Sequence, residues 1–260
     1  MTLLFSFSCF LTAFTPSVLI FYQLVAKDPL RVILLVLGAF FWLTSLLISA
    51  ILWRLVFNSL IVSIFVSAIC QEIARGLYYF LLHKAQIGLG KLASNGVEVT
   101  GIRLLYSSRH ILAIVCGLGM GMMAALFLLT NIIAESSHDG VVGLPATIPE
   151  VARQMEFKLY ASDADFPIFY SLSCSFLILL NICWTIQLWD GLHKLVNRLT
   201  PTWWPMILIA VASHLTNTTL SLWLSQSPFL ILFGQGILLA ANVGLCMAII
   251  KNMIFPTITT

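Results

Sequence analysis

Charged residues are scarce in this chain of 260 residues: only 9% are Asp, Glu, Lys or Arg, whereas 60% are hydrophobic and the mean hydropathy is +1.02. A soluble domain usually carries about 25% charged residues, so the composition excludes a soluble enzyme and a disordered segment. The net charge is only +3 and the basic residues are scattered, which excludes a surface that tracks nucleic-acid phosphates. The composition indicates a polytopic membrane protein.

The signatures of the common membrane enzymes are also missing. The sequence has no H-E-x-x-H zinc motif, and its six cysteines show no C-x-x-C spacing. Asp28 and Asp190 lie at span ends, whereas an intramembrane aspartyl protease needs two facing aspartates at membrane depth. Ser213 and His214 are adjacent, so on a helix they point about 100° apart. We expect no catalytic residue, no metal site, no cofactor and no disulfide.

Long apolar runs are what the sequence has in abundance. A transmembrane helix needs about 20 consecutive apolar residues, and charged positions divide the chain into runs of that length. The sequence therefore predicts an all-α, seven-helix bundle that forms a single membrane domain over residues 1–260. The predicted spans are 2–26, 32–56, 59–82, 110–134, 166–189, 204–225 and 229–250, with long connections at 83–109 and 135–165 and a short helix near Val151–Tyr160.

Basic residues are distributed unequally between the two membrane faces. One face holds nine of them and the other three, and the second face also carries most of the acidic residues. The positive-inside rule predicts a lumenal or extracellular amino terminus and a cytosolic carboxyl terminus. The cytosolic set is Lys27, Arg31, Lys84, Lys91, Arg103, Arg109, Lys194, Arg198 and Lys251; the lumenal set is Arg54, Arg153 and Lys158.

Two predicted spans carry a small residue at every fourth position. Residues four apart lie on one helix face, and small side chains let two backbones approach closely in lipid. We expect tight helix packing at both stripes, within the chain or against another subunit. The stripes are Ala113, Gly117, Gly121 and Ala125 in span four, and Gly236, Ala240, Gly244 and Ala248 in span seven.

Polar side chains interrupt the apolar spans at membrane depth. Glu72 and Arg75 are spaced for an ion pair on one helix face, which lowers the cost of burying either charge. Such groups line a hydrated cavity or a catalytic dyad, or they form a hydrogen-bonded clasp between helices; the sequence leaves these alternatives open. The candidate cluster comprises Gln71, Glu72, Arg75, Asn181, His214 and Asn217.

Five strings in order along the chain carry a family resemblance. Any one of them is weak, but together, on the right spans, they are specific. The chain resembles the anterior-pharynx-defective family, the seven-span scaffold subunit of γ-secretase. The strings are Asp28-Pro29-Leu30-Arg31-Val32-Ile33-Leu34, Gly38-Ala39-Phe40-Phe41-Trp42-Leu43, Gln71-Glu72-Ile73-Ala74-Arg75 with Tyr78-Tyr79, Gly140-Val141-Val142-Gly143, and Ser213-His214-Leu215.

The resemblance implies a non-catalytic subunit of an intramembrane aspartyl protease complex that cleaves type I membrane proteins such as Notch and amyloid precursor protein. It implies nicastrin, presenilin and presenilin enhancer as partners, membrane lipid as surroundings, and the endoplasmic reticulum, Golgi and plasma membrane as locations. The family's span-four glycine stripe matches Gly117, Gly121 and Ala125. Of its two intramembrane histidines, His214 matches the second, whereas Asn181 stands in place of the first.

The asparagine at position 181 indicates which role the two positions, Asn181 and His214, have. Both an amide and a neutral imidazole donate and accept hydrogen bonds, but an amide does not titrate near neutral pH. The replacement therefore favours a structural clasp over proton transfer or metal binding. The alternative function is an intramembrane hydrolase distantly similar to prenyl-protein-processing glutamate proteases, using Glu72 and His214. A seven-span receptor matches only in span count and orientation.

Overall fold

The described part of the chain is a bundle of seven long helices. The computed structural model describes residues 3–55, 60–94, 109–137, 166–199, 203–222, 224 and 227–254. No strand occurs within these ranges, and all seven helices are long and apolar enough to cross a membrane, which confirms the predicted fold class. The helices are α1 (Leu3–Ile20, continued by a π-helical turn Phe21–Val25), α2 (Pro29–Leu55), α3 (Leu60–Ser94), α4 (Arg109–Ser137), α5 (Phe166–Val196), α6 (Trp204–Leu222) and α7 (Pro228–Ile254).

Two helices extend well past the predicted spans. Helix α3 continues to Ser94, through a segment predicted to be a connection, and α5 continues to Val196 rather than ending at 189. Charged residues end an apolar run but not a helix, because Lys and Gln are good helix formers. Asp190 and Lys194 also form an i,i+4 ion pair at 2.5 Å that supports the end of α5. The predicted helix at 151–160 and the string 140–143 lie outside the described residues.

Helix α5 is the centre of the bundle. It contacts α1, α3, α4, α6 and α7, while α2 packs on α3 and α4. In α4 and α5, 61% of the most apolar stretch is buried within the chain, against 17–28% in the other five helices. Polar groups carried by α4 and α5 are therefore shielded from lipid, whereas the outer helices present broad apolar surfaces to it.

The turn between α1 and α2 is fixed by its own side chains. Asp28 accepts a hydrogen bond from the backbone N–H of Leu30 at 3.0 Å, and Pro29 occupies the first helical position, where no N–H is needed. Arg31 donates from Nη1 to the carbonyl oxygen of Leu24 at 2.6 Å. These contacts explain the sequence Asp-Pro-Leu-Arg at this turn.

Candidate functional site

The three ionisable side chains of the predicted polar cluster meet inside the bundle. Glu72 and Arg75 lie one turn apart on α3, and Arg75 donates from Nη1 to Glu72 Oε1. The same carboxylate oxygen lies 2.6 Å from Nδ1 of His214 on α6. All three side chains are buried, and Arg75 is wholly shielded. The ion pair predicted from the spacing is present, and it joins α3 to α6.

Helix α5 holds the other side of Arg75. The second guanidinium nitrogen donates to Asn181 Oδ1 at 2.7 Å, and Asn181 donates to the backbone oxygen of Leu177 at 2.9 Å. The guanidinium carbon lies 5.7 Å from the centre of the Trp184 ring, a cation–π distance. The His214 ring also contacts Trp184 and stacks on it at 4.1 Å and 17°. Asn181 therefore binds Arg75 and His214 stacks on Trp184, and Arg75 and Trp184 are themselves in contact.

The network reaches α7 through residues outside the predicted cluster. Trp184 donates to the Ser213 hydroxyl at 2.6 Å, and that hydroxyl lies 3.3 Å from Asn242 Oδ1. Gln187 donates to the same Asn242 oxygen at 2.9 Å. Gln187 and Asn242 stand out as polar residues in apolar spans, but their pairing depends on how the helices are rotated. Four helices, α3, α5, α6 and α7, are thus joined by one buried network.

Gln71 and Asn217 lie beside this network rather than in it. Both line a cavity of about 370 Å³ bounded by α2 to α6, together with His214 and small hydroxyl side chains such as Ser67 and Ser221. Asn217 Oδ1 and the second oxygen of Glu72 are buried and have no hydrogen-bond partner among the described residues. Buried unpaired acceptors of this kind are costly. The hydrogen-bonded network and a cavity lined in part by polar side chains therefore lie side by side.

The small-residue stripe of α4 faces α5. A Cβ atom at Gly117 would lie 2.7 Å from Cα of Ile182, and one at Gly121 would lie 2.9 Å from both Cα and the carbonyl oxygen of Ile178. Ala125 continues the stripe and is fully buried. A glycine that the stripe omits, Gly119, faces α2, where a Cβ would lie 2.1 Å from the carbonyl oxygen of Leu35. Helix α4 is thus held by close backbone contacts on two faces.

The stripe of α7 has the opposite orientation. No atom of another described helix lies within 4 Å of a Cβ built at Gly236 or Gly244. Ala240 and Gly244 are exposed. Two large apolar side chains beside the stripe, Phe233 and Met247, are also exposed. The stripe forms a shallow groove on the outer surface of the chain.

The chemistry of the network favours a clasp. A glutamate touching a histidine can in principle exchange a proton, but here Arg75 holds the same carboxylate oxygen and balances its charge. Stacking on Trp184 fixes the position of the His214 imidazole ring. The contacts of Arg75 with Asn181, of His214 with Glu72 and of Trp184 with Ser213 each join two helices, an arrangement suited to fixing helix positions.

Comparisons with known proteins agree over nearly the whole chain. The sequence model of a family described as Aph-1 protein matches residues 4–253. Gamma-secretase subunit aph-1 of Caenorhabditis elegans is 36% identical over 258 residues, 96% of this chain and 82% of that protein. Gamma-secretase subunit APH-1B of Homo sapiens is 35% identical over 227 residues, 83% and 77% of the two chains. These matches give the hydrolase alternative no support.

Proposed function

Because the chain belongs to the Aph-1 family, we propose that it is the seven-span scaffold subunit of a γ-secretase complex and has no catalytic residue of its own. The observation that carries the proposal is the buried network of Glu72, Arg75, Asn181, Trp184 and His214, which joins helices instead of presenting a free nucleophile or base. The relatives' names as gamma-secretase subunits support the complex.

In this proposal the two small-residue stripes have different roles. Gly117, Gly121 and Ala125 hold α4 against α5 and so stabilise the chain itself. Gly236, Ala240 and Gly244 form the outward groove of α7, which receives a transmembrane helix of another subunit. Small residues flanked by large ones provide the close fit that drives helix association in lipid. The partners are nicastrin, presenilin and presenilin enhancer.

The remaining parts of the proposal concern topology, location and substrates. The chain acts as one membrane domain, with its amino terminus lumenal and its carboxyl terminus cytosolic, in the endoplasmic reticulum, the Golgi and the plasma membrane. The assembled complex cleaves type I membrane proteins such as Notch and amyloid precursor protein. A tag at each terminus, tested for protease access in sealed vesicles, checks the topology: the two tags must respond oppositely.

The test of the proposed function is copurification combined with activity. A tagged wild-type chain is expected to recover nicastrin and presenilin from solubilised membranes. Glu72→Gln and His214→Gln are then compared by proteolytic activity per assembled complex. A scaffold role predicts that both variants change the amount of complex but leave that ratio near wild type. Full assembly with lost activity in either variant would show that Glu72 or His214 has a chemical task.

A further inference from the structure

A second cavity, of about 340 Å³, lies at the other end of the bundle between α3, α4 and α5. Its walls come from the last turns of the α3 span and the first turns of α4, at the membrane face predicted to be cytosolic. The polar lining includes Tyr79, His83, Arg109 and His193, and none of these belongs to the network described above. The cavity is therefore a separate feature that the scaffold function leaves unexplained.

The guanidinium of Arg109 is only partly paired within the described part of the chain. It pairs there with Asp190, whose Oδ1 lies 3.8 Å from Nη2, beyond hydrogen-bond distance. The other oxygen of Asp190 is already bound to Lys194 at 2.5 Å. Arg109 Nε is buried and has no hydrogen-bond partner among the described residues. Two basic groups thus share one carboxylate, and Nε of the guanidinium beside the cavity has no acceptor within the described ranges.

The surroundings of Arg109 suit an anion. The His83 ring stacks on Tyr79 at 5.8 Å and 7°, and the Tyr79 hydroxyl lies 3.4 Å from Nδ1 of His193. These side chains offer hydrogen-bond donors at the rim of the same cavity. A guanidinium with neighbouring hydrogen-bond donors recognises phosphate oxygens well, because the planar fork of arginine matches their geometry.

The other wall of the cavity is apolar and leads towards the lipid. Leu82 and Leu112 are buried in it, whereas Ile87 is 48% exposed on the outer surface of α3. A free phosphate ion would gain nothing from this wall. An acyl chain that follows Leu82 and Leu112 would continue towards the membrane interior, so the two walls together match an amphipathic ligand.

We propose that this cavity binds an anionic phospholipid of the adjoining leaflet, with the lipid phosphate paired to Arg109 and an acyl chain lying along Leu82 and Leu112. The lipid neutralises the surplus positive charge and occupies the gap between α3, α4 and α5. This inference goes beyond the scaffold function and does not depend on it, since all of the residues belong to this chain.

The test uses the full-length chain, purified with its associated subunits and reconstituted in phosphatidylcholine vesicles. The vesicles contain a trace of photoactivatable phosphatidic acid or, in parallel, of photoactivatable phosphatidylcholine. We expect phosphatidic acid to label the peptides that line the cavity on α3 and α4, and phosphatidylcholine to label them much less. Arg109→Gln should reduce the phosphatidic acid labelling by about tenfold, since a charge-assisted hydrogen bond is lost.

Lys84→Gln is the matched control, because Lys84 is an exposed basic residue next to His83 that does not line the cavity. Its labelling should stay at the wild-type level. If Arg109→Gln does not fold, Ile87→Trp tests the apolar wall with all charges kept, and it should also reduce labelling.

Four results would overturn the proposal. They are wild-type labelling in both Arg109→Gln and Ile87→Trp, equal loss in Lys84→Gln, full displacement of the lipid by inorganic phosphate, or crosslinking of a partner subunit's segment in the cavity in place of lipid.

Discussion

The two small-residue stripes have the same spacing and opposite surroundings. On α4, a single added carbon at Gly117 or Gly121 would collide with the backbone of α5, whereas on α7 the same carbon at Gly236 or Gly244 would meet no other described helix. A spacing of four residues predicts that one face of a helix is flat. What covers that face depends on the rotation of the helix in the bundle.

This difference separates contacts that hold the chain together from contacts left for another subunit. The inner region, α4 and α5, is stabilised by close backbone packing and by the buried network around Arg75. The outer face of α7 has neither of these contacts with the part of the chain that the structure describes. Substitutions that test the inner region should therefore lower the stability of the chain, and those on α7 should not.

The largest loss of stability is expected where the buried network loses its charge balance. Glu72→Leu leaves the fully buried Arg75 without its carboxylate, and removing one member of a buried pair costs about 3–5 kcal/mol. The free energy of unfolding of the purified chain in detergent measures this loss. The double variant Glu72→Leu/Arg75→Leu should recover more than half of it. A double variant as unstable as the single one would show that charge balance is not the cause.

Overpacking of the inner stripe is expected to come next. Gly121→Leu forces α4 away from Ile178 of α5, and overpacking of this kind costs about 1–3 kcal/mol. The spacing alone suggests that alanine would be tolerated here, because Ala125 belongs to the same stripe. The 2.9 Å approach to backbone atoms of Ile178 predicts instead that Gly121→Ala is destabilising as well. Unchanged thermal unfolding of the alanine variant would contradict the close contact.

An effect of similar size, below that of Glu72→Leu, is expected at His214. His214→Ala removes one hydrogen-bond partner of the Glu72 carboxylate and the ring that stacks on Trp184. The free energy of unfolding should fall by about 1–3 kcal/mol. His214→Gln keeps a donor and should regain part of the loss. Thermal unfolding of both variants, compared with Thr216→Ala on an exposed part of the same helix, checks the prediction. Equal destabilisation by alanine and glutamine would mean that the ring, not the hydrogen bond, matters.

The smallest change in chain stability is expected on α7. Gly244→Leu adds its side chain to an exposed position with no other helix nearby, so the unfolding of the isolated chain should stay within about 0.5 kcal/mol of wild type. Ala241→Leu, at an exposed position of α7 outside the stripe, is the matched control. A clear loss of stability in Gly244→Leu alone would mean that the stripe is covered within the chain.

Much of this architecture can be predicted from the sequence, and its failures have physical causes. The seven apolar runs and the spacing of Glu72 and Arg75 are local signals. They are sufficient to predict the seven helices and the ion pair. The extension of α3 to Ser94 was missed because hydropathy reports burial in lipid and not helix formation. Gly119 was missed because a search at every fourth residue follows only one face of α4.

Contacts between helices distant in sequence were the least predictable part. Trp184 joins Arg75, His214 and Ser213, yet nothing near it in the sequence distinguishes it from an ordinary core aromatic residue. The outward orientation of the α7 stripe was equally unpredictable, since the two stripes have the same spacing and composition of small residues. Such features depend on how helices rotate against each other, and a single sequence carries little information about that rotation.

The most direct test of the account compares Gly121→Leu and Gly244→Leu in one experiment. Tagged chains are purified from solubilised membranes, and the recovered nicastrin and presenilin are expressed per amount of stable chain. Gly121→Leu should lower the amount of stable chain, and the chain that remains should keep its partners. Gly244→Leu, unlike Ala241→Leu, should leave the chain abundant but without one of its partners. Wild-type partner recovery by an abundant Gly244→Leu chain would contradict the assignment of the outer stripe to assembly.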